Sequence, residues 1–307
     1  MEAVAKAQDK LILNGPSDNS GFDSEGNPEP YKVSDNPLEV DVASQATTSA
    51  TTVKSVDEVL NAILGNMQDT ISAKKYLSML LYSVPDAGKT GFLGTVPNNF
   101  IIDSENGLVS HREMRKMGLL ANNVKMLPYR SFDGFANIVD KFSEDPEELK
   151  IFETFSIDTV STLHKRGLEE VTDRVWKQNP RANNRYVAET EHHTENNEHI
   201  RRIIDQVGQM PKNVIFTAHA RTVEPKSGPT KTFPDFSEKL ANTISGMVDV
   251  VGYLYIKEDE GVLKRILRLK SDGSISAKNR IGLPFEIEDP TWDKIYSVFL
   301  ENGRTDN

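Results

Sequence analysis

The stretch LYSVPDAGKT, Leu81 to Thr90, constrains this chain more than any other part of it. An apolar run leads into a short loop that closes on Gly-Lys-Thr. It follows the phosphate-loop pattern G-x-x-x-x-G-K-[ST] except at the first glycine, where Ser83 stands. The chemistry of the pattern is specific. The loop Ser83, Val84, Pro85, Asp86, Ala87 and Gly88 is expected to wrap a polyphosphate with the backbone N–H groups of its residues other than Pro85, with Lys89 reaching its terminal oxygens and the Thr90 hydroxyl binding Mg2+. Ser83 can replace glycine only where its φ stays negative. The motif also demands a strand before it and a helix after it. Tyr76 to Val84 reads as that strand and Gly91 to Leu93 as the opening of that helix, so ATP and Mg2+ are the expected ligands.

A formal net charge of -10 argues against a protein that coats nucleic acid by bulk charge. The charge is unevenly spread. Between Met1 and Ala50 nine acids face three lysines, so about six of the ten net negative charges lie there and the remainder is close to neutral. Residues 1–52 are rich in Ser, Asn, Asp, Gly, Pro and Thr and read as a disordered acidic arm, either a solubilising tail or a mimic of nucleic acid. Over 53–75 the pattern turns helical. Val56, Val59, Leu60, Ile63, Leu64 and Met67 share one face behind a Ser55/Glu58 capping box, a face that packs on its own domain or docks on a neighbouring subunit. With no cysteine there is no disulfide framework and no thiol chemistry. No apolar run approaches the ~20 residues of a membrane span, and the reading is of a soluble protein of the cytoplasm.

Residues 76–307 alternate strands and helices. Asn99 to Ser104 is an apolar run ending in acid, followed by Glu105; a helix is expected near Phe135 to Phe142; and a second apolar run from Ile151 ends at Asp158, where a Mg2+-holding acid belongs. Asn179 to Asn197 reads as a polar loop, and its His192 and His193, with nearby His199, lack metal-ligand spacing. Ile200, Ile203, Ile204 and Val207 mark a further helix, and Asn213 to Thr217 a buried strand leading to His219 and Arg221. Thr222 to Lys239 reads as a long functional loop. With Arg221 it supplies Lys226, Lys231 and Lys239 as candidate nucleic-acid contacts, and Phe233 and Phe236 as either base-stacking surfaces or hydrophobic anchors. Late strands at Val248 to Ile256 and Val262 to Lys270 and a closing helix from Trp292 complete an α/β class with a mostly parallel sheet, flanking helices and an added C-terminal β-hairpin.

From Leu77 to Phe285 the order of motifs resembles the RecA-type recombinase core, and within it the phage-encoded RecA-like P-loop ATPases of single-strand annealing and recombination. FIIDSENGL is similar to that family's strand bearing the water-activating glutamate, which implies this role for Glu105. SIDTVSTL is similar to its Mg2+-acid strand, implying Asp158, and NVIFTAHAR to its γ-phosphate-sensing strand, with His219 in place of an amide. KNRIGLPF resembles the segment whose two cations reach a neighbour's γ-phosphate, which implies Lys278 and Arg280 acting in trans within a homo-oligomeric filament or ring. The resemblance implies a DNA-dependent ATPase binding single-stranded DNA. Two other readings stay open: an ATP-gated nucleic-acid binding or annealing protein with little turnover, and a hexameric helicase-type motor. Four departures stand out. They are Ser83; Asp86, a carboxylate beside incoming phosphates; Arg112, where the family stacks an aromatic on the base; and His219, whose side-chain type titrates near neutrality.

Overall fold

A computed structural model describes residues 76–181, 184–225 and 227–302. The acidic arm, the helix expected over 53–75, and Lys226 lie outside them. The described chain alternates strand and helix from β1 (Ser78–Ser83), α1 (Lys89–Gly94), β2 (Asn99–Asp103), α2 (Leu108–Lys116), β3 (Lys125–Pro128), α3 (Phe132–Glu144), β4 (Thr154–Asp158) and α4 (Val160–Gln178) to α5 (Thr190–Gly208) and β5 (Asn213–Val223). Then come β6 (Lys231–Pro234), α6 (Glu238–Met247), β7 (Val250–Asp259), β8 (Val262–Arg268), β9 (Lys278–Asn279), β10 (Glu286–Glu288) and α7 (Trp292–Asn302).

The sheet runs β10-β8-β7-β1-β5-β4-β2-β3, with β6 paired to β5 and β9 to β7. From β7 through β3 the pairings are parallel, whereas β8 and β10 add antiparallel, so the sheet is mixed. Parallel strands need both faces covered, and β1, β2 and β4 are accordingly near-continuously apolar before their polar tips. One face packs under α3, α4, α5 and α6 through Phe135, Val139, Phe142, Leu163, Ile200, Ile204, Val207, Leu240 and Ile244. The other packs under α1 and α7 through Phe92, Leu93, Trp292, Ile295 and Phe299. Phe142 and Phe155 lie 5.0 Å apart edge to face, and each buried aromatic of this kind contributes ~1.5–3 kcal/mol through lost water contact.

The helices begin where the sequence offers caps. Ser131 accepts from the Gly134 N–H at the start of α3, Thr159 from Thr162 at α4, and Ser237 from Leu240 at α6. β1 is pinned at its buried start by Asp249, whose Oδ2 accepts from the Ser78 N–H at 2.9 Å and from its hydroxyl at 2.7 Å.

Two expectations are corrected. The polar segment before Asn197 is not all loop, because α5 already begins at Thr190, where the Glu189 N–H donates to His192 Nδ1 at 3.1 Å. His192 is therefore a buried cap residue, and among the described residues no three or more His, Cys, Asp or Glu side chains cluster to hold a metal. The segment Thr222 to Lys239 is not one long loop either. β5 continues to Val223 and turns back as β6, in register Arg221 to Phe233 and Val223 to Lys231. No helix among the described residues is long and apolar enough to cross a membrane.

Candidate functional site

The carboxyl ends of β1, β2, β4 and β5 place the polar tips side by side, with Ser83 beside His219 and Asp103 beside Asp158 in parallel register. The phosphate loop leaves β1 at this edge. Ser83 is fully buried as the last residue of that strand and does not take a positive φ, which is how serine fills a glycine position. It also gives the lysine a partner. Lys89 Nζ donates to Ser83 Oγ at 2.9 Å and, at 3.4 Å each, to the carbonyls of Ser83 and Val84, bonds it can exchange for phosphate oxygens. Burial lowers the Lys89 pKa, while Asp158, Glu105 and Asp86 pull it back up. Gly88, the N-cap of α1, has φ +107°, a conformation side chains rarely adopt. Asp86 sits in the left-handed region with φ 62° and is exposed on the loop.

Thr90 and Asp158 meet directly, the Thr90 hydroxyl donating to Asp158 Oδ2 at 2.7 Å. The other carboxylate oxygen, Oδ1, accepts from Thr217 at 2.5 Å. Burial raises the Asp158 pKa, and the Thr217 and Thr90 hydrogen bonds oppose it. A hydroxyl and a carboxylate, both hard oxygen donors, suit Mg2+, which keeps waters and binds proteins through few direct ligands. The neighbourhood fits the same ion. Asp103, register-paired with Asp158, is buried, and its Oδ2 has no hydrogen-bond partner, while its Oδ1 accepts from the Glu105 N–H at 2.9 Å.

Glu105 lies next to this pair. Its Oε1 accepts from Thr162 at 2.6 Å, Thr159 at 2.8 Å and His219 Nε2 at 2.5 Å. Burial on its own raises the carboxyl pKa, but the three donors outweigh it and hold the group at about 2. Oε2 takes no hydrogen bond and is not among the buried unpartnered atoms, which leaves one oxygen of the carboxylate for water. His219 is fixed by its own N–H, which donates to Ser161 Oγ at 2.9 Å, and its Nδ1 is buried without a partner.

Residues 75–281 match the family model described as AAA domain. The chain belongs to the AAA domain family. The match covers every phosphate-site residue above and the Lys278–Arg280 turn. None of the curated proteins matches this AAA domain protein. Among solved structures it is similar to a KaiC-like protein, PH0186, from Pyrococcus horikoshii OT3, at 14% identity and TM-score 0.37, covering 71% of this chain and 91% of that one. It is also similar to the flagellar accessory protein FlaH of Methanocaldococcus jannaschii, at 12% identity and TM-score 0.36, covering 77% and 92%. The family match reaches an ATP-binding P-loop fold. Recombination and single-strand annealing, which the sequence resemblance implied, are not part of it.

The remaining candidates scatter. Arg221 lies over the Phe233 ring at 4.7 Å and 3.9 Å from Asp235. Lys231 stands exposed across the same hairpin, whereas Lys239 sits on α6 beside Glu198 and Arg201 of α5. Phe236 is buried and anchors α6's approach, so it is no stacking surface. Lys278 is drawn inward, donating to the carbonyls of Ser245 at 2.6 Å, Gly246 at 3.1 Å and Val248 at 2.7 Å, and thus caps the end of α6. Arg280 is exposed. A cavity of about 710 Å3 adjoins Gly88 and Gly91, lined by Phe92, Met114, Met117 and Leu254, with Arg265 at its edge and Arg112 not among its lining residues. Sequence reasoning missed Thr217 and Arg265, and read Asp103 only as the acid ending an apolar strand. A polar residue at an otherwise apolar strand position was the available signal for the first.

Proposed function

We propose that this AAA domain protein is a Mg2+-dependent ATPase whose turnover is gated through Glu105, with single-stranded nucleic acid at the β5–β6 hairpin as the gating ligand. The observation that carries the reading is the Glu105 carboxylate, with three donors on Oε1 and an open Oε2 beside the Thr90–Asp158 pair. Lys89 would grip the β- and γ-phosphates, and Thr90 and Asp158 would hold Mg2+, which when bound neutralises charge on the phosphate oxygens. Glu105 Oε2 orients a water in line with the γ-phosphorus. A bond from water oxygen to phosphorus forms as its proton passes to Glu105 Oε2, the bridging bond to the β-phosphate breaks, and ADP and inorganic phosphate leave.

A carboxylate held near pKa 2 by three donors is a weak proton acceptor. Loss of the His219 bond strengthens it. His219 lies on β5 just before the outward half that carries Arg221, so a ligand that shifts the hairpin reaches Glu105 through one side chain. This coupling favours the ATP-gated binder or motor over a reading tied to recombination alone. Arg280 of an adjacent copy supplies a cation in trans, and Lys278 holds the turn that projects it.

The test is ATP hydrolysis by the full chain, with and without single-stranded DNA, over a range of protein concentration, with Lys89→Ala as control. DNA-stimulated turnover rising faster than linearly with protein, and absent in Lys89→Ala, supports the reading. Hydrolysis that ignores both DNA and concentration removes the gating and the shared site. ATP binding without hydrolysis under any condition withdraws the role of Glu105 and leaves an ATP-gated binder.

A further inference from the structure

Arg265 stands at the mouth of the phosphate loop and has no part in the hydrolysis described above. Its backbone is locked on β8, where its N–H donates to Asp289 Oδ1 at 3.2 Å and its carbonyl accepts from the Asp289 N–H at 2.6 Å. The side chain reaches across to the loop. A Cβ placed on Gly88 would meet Arg265 Nε at 2.7 Å and Cδ at 3.0 Å, so the arginine covers the bare face of that glycine. The positive φ is what favours glycine there, and an exposed arginine end could give way to a larger side chain. The guanidinium forms no ion pair and no hydrogen bond among the described residues and is exposed, five donors in a planar fork beside a loop built for anions.

The other side of Arg265 borders the cavity of about 710 Å3. Its walls are largely apolar, with Phe92, Met114, Met117 and Leu254, and its acids are Asp289 and Asp293. A nucleoside triphosphate with its phosphates along residues 83–90 leaves the loop past Gly91, one of the residues lining that cavity. With the nucleoside entering that cavity, the guanidinium would lie where the phosphate chain ends and the nucleoside begins.

We propose that Arg265 is a nucleotide-binding residue acting in cis, contacting the α-phosphate at the junction between phosphate chain and nucleoside. The inference rests on the reading of residues 83–90 as a polyphosphate site, and it adds a cation that the sequence motif does not contain. A planar fork grips a phosphate through two parallel N–H donors, which lysine cannot reproduce.

The experiment is equilibrium binding of fluorescent mant-ATP and mant-ADP to the full chain and to Arg265→Ala, Arg265→Lys and Lys89→Ala, with inorganic triphosphate as competitor and thermal melting as the check on folding. Arg265 is exposed, so its truncation is expected to leave the melting unchanged. Arg265→Ala is expected to weaken mant-ATP and mant-ADP about tenfold, Arg265→Lys about threefold, and competition by triphosphate is expected to weaken in step, since triphosphate keeps a phosphate at the α position. Unchanged mant-nucleotide affinity in Arg265→Ala alongside loss in Lys89→Ala overturns this inference alone. Weakening of mant-ATP with triphosphate competition unchanged would put the guanidinium on the nucleoside and overturns the α-phosphate contact. Full binding by Lys89→Ala overturns the polyphosphate reading and this inference with it.

Discussion

Strand β5 joins two regions built on opposite principles. From Asn213 to Ala218 it is buried between β1 and β4, and its Thr217 hydroxyl completes a closed polar network around Asp158. From Arg221 to Val223 the same strand is exposed, paired only with β6, and its charges face water. The inner half obtains its geometry from mutual hydrogen bonds in a medium of low polarity, where each unmade bond is costly. The outer half has loose pairs such as Arg221 and Asp235 at 3.9 Å, where solvent screens most of the gain. A nucleotide site must hold a water and a metal to fractions of an ångström, whereas a phosphate-backbone surface needs only charge within reach. His219 stands on the border and belongs to both.

Breaking the inner half has the largest expected effect. Glu105→Gln keeps the shape and one acceptor oxygen but removes the negative charge that draws a proton from water. ATP turnover is expected to fall ~10²–10⁴-fold, the range of general-base contributions, while nucleotide binding stays within about twofold. Steady-state hydrolysis beside equilibrium binding of the same preparation checks this, and parallel loss of both would make Glu105 a binding residue instead.

Thr217→Val comes next. The substitution keeps the volume and deletes the donor to Asp158 Oδ1, leaving a fully buried carboxylate oxygen unpaired. The expected cost is ~1–3 kcal/mol of folding stability, read as a shift of the urea midpoint. Because Thr217 lowers the Asp158 pKa against the effect of burial, its loss is also expected to push that carboxyl further up. The dependence of hydrolysis on Mg2+ should then move to higher Mg2+ concentration.

How much of this was legible in the sequence follows the same division. The phosphate loop was readable because its chemistry is local. Lys89, Thr90 and the loop backbone do their work within a few residues of one another. Asp158 was readable as the Mg2+-holding acid at the tip of an apolar strand, and Glu105 as an acid just past another, although only a resemblance gave Glu105 its role. The hydroxyls of Thr159, Thr162 and Thr217 were not readable. Their meaning depends on which strands become neighbours, and β4 meets β2 and β5 only in the folded sheet. Arg265 was hidden for the same reason, since β8 is far from Gly88 in the chain and adjacent to it in space. The early start of α5 escaped because the first two turns carry few apolar residues. They hold by polar contacts instead, the His192 cap and Asn196, whose side-chain amide donates to the His164 carbonyl at 2.9 Å. Strand β6 was masked by a Pro- and Gly-rich setting, and its Pro234 is tolerated at the end of an edge strand, where no ladder donor is required.

The border between the halves can be tested by acid. Glu105 titrates at about 2 in the folded chain, below its ordinary 4.5, because His219, Thr162 and Thr159 donate to it more strongly than burial opposes. A depressed carboxyl pKa contributes stability that is fully present above the unfolded value and is lost as pH falls through the folded one. The window is therefore from about 4.5 down to about 2. Melting temperatures of the wild type and Glu105→Gln are expected to differ most above pH 5 and to converge toward pH 2, since the glutamine has no charge to lose. A constant gap across that range would mean that the three hydrogen bonds do not favour the carboxylate over the acid.

The smallest effect is expected in the outer half, and its size is what distinguishes the two. Arg221 and Lys231 stand on facing strands of the hairpin, one over the Phe233 ring and one exposed. Each that meets a phosphate releases about one counterion, so Arg221→Ala and Lys231→Ala should each weaken single-stranded DNA binding by ~3–10-fold near 0.1 M salt. Each should also lower the slope of log affinity against log salt by ~0.7, as expected for single strands. Neither change is expected to alter hydrolysis without DNA, because neither side chain touches Glu105. Fluorescence anisotropy over a salt series measures both quantities. An affinity loss without any change of slope would mean that Arg221 serves the hairpin through Phe233 and Asp235 rather than by contacting phosphate, and the basic surface would then have to be sought elsewhere on the sheet edge.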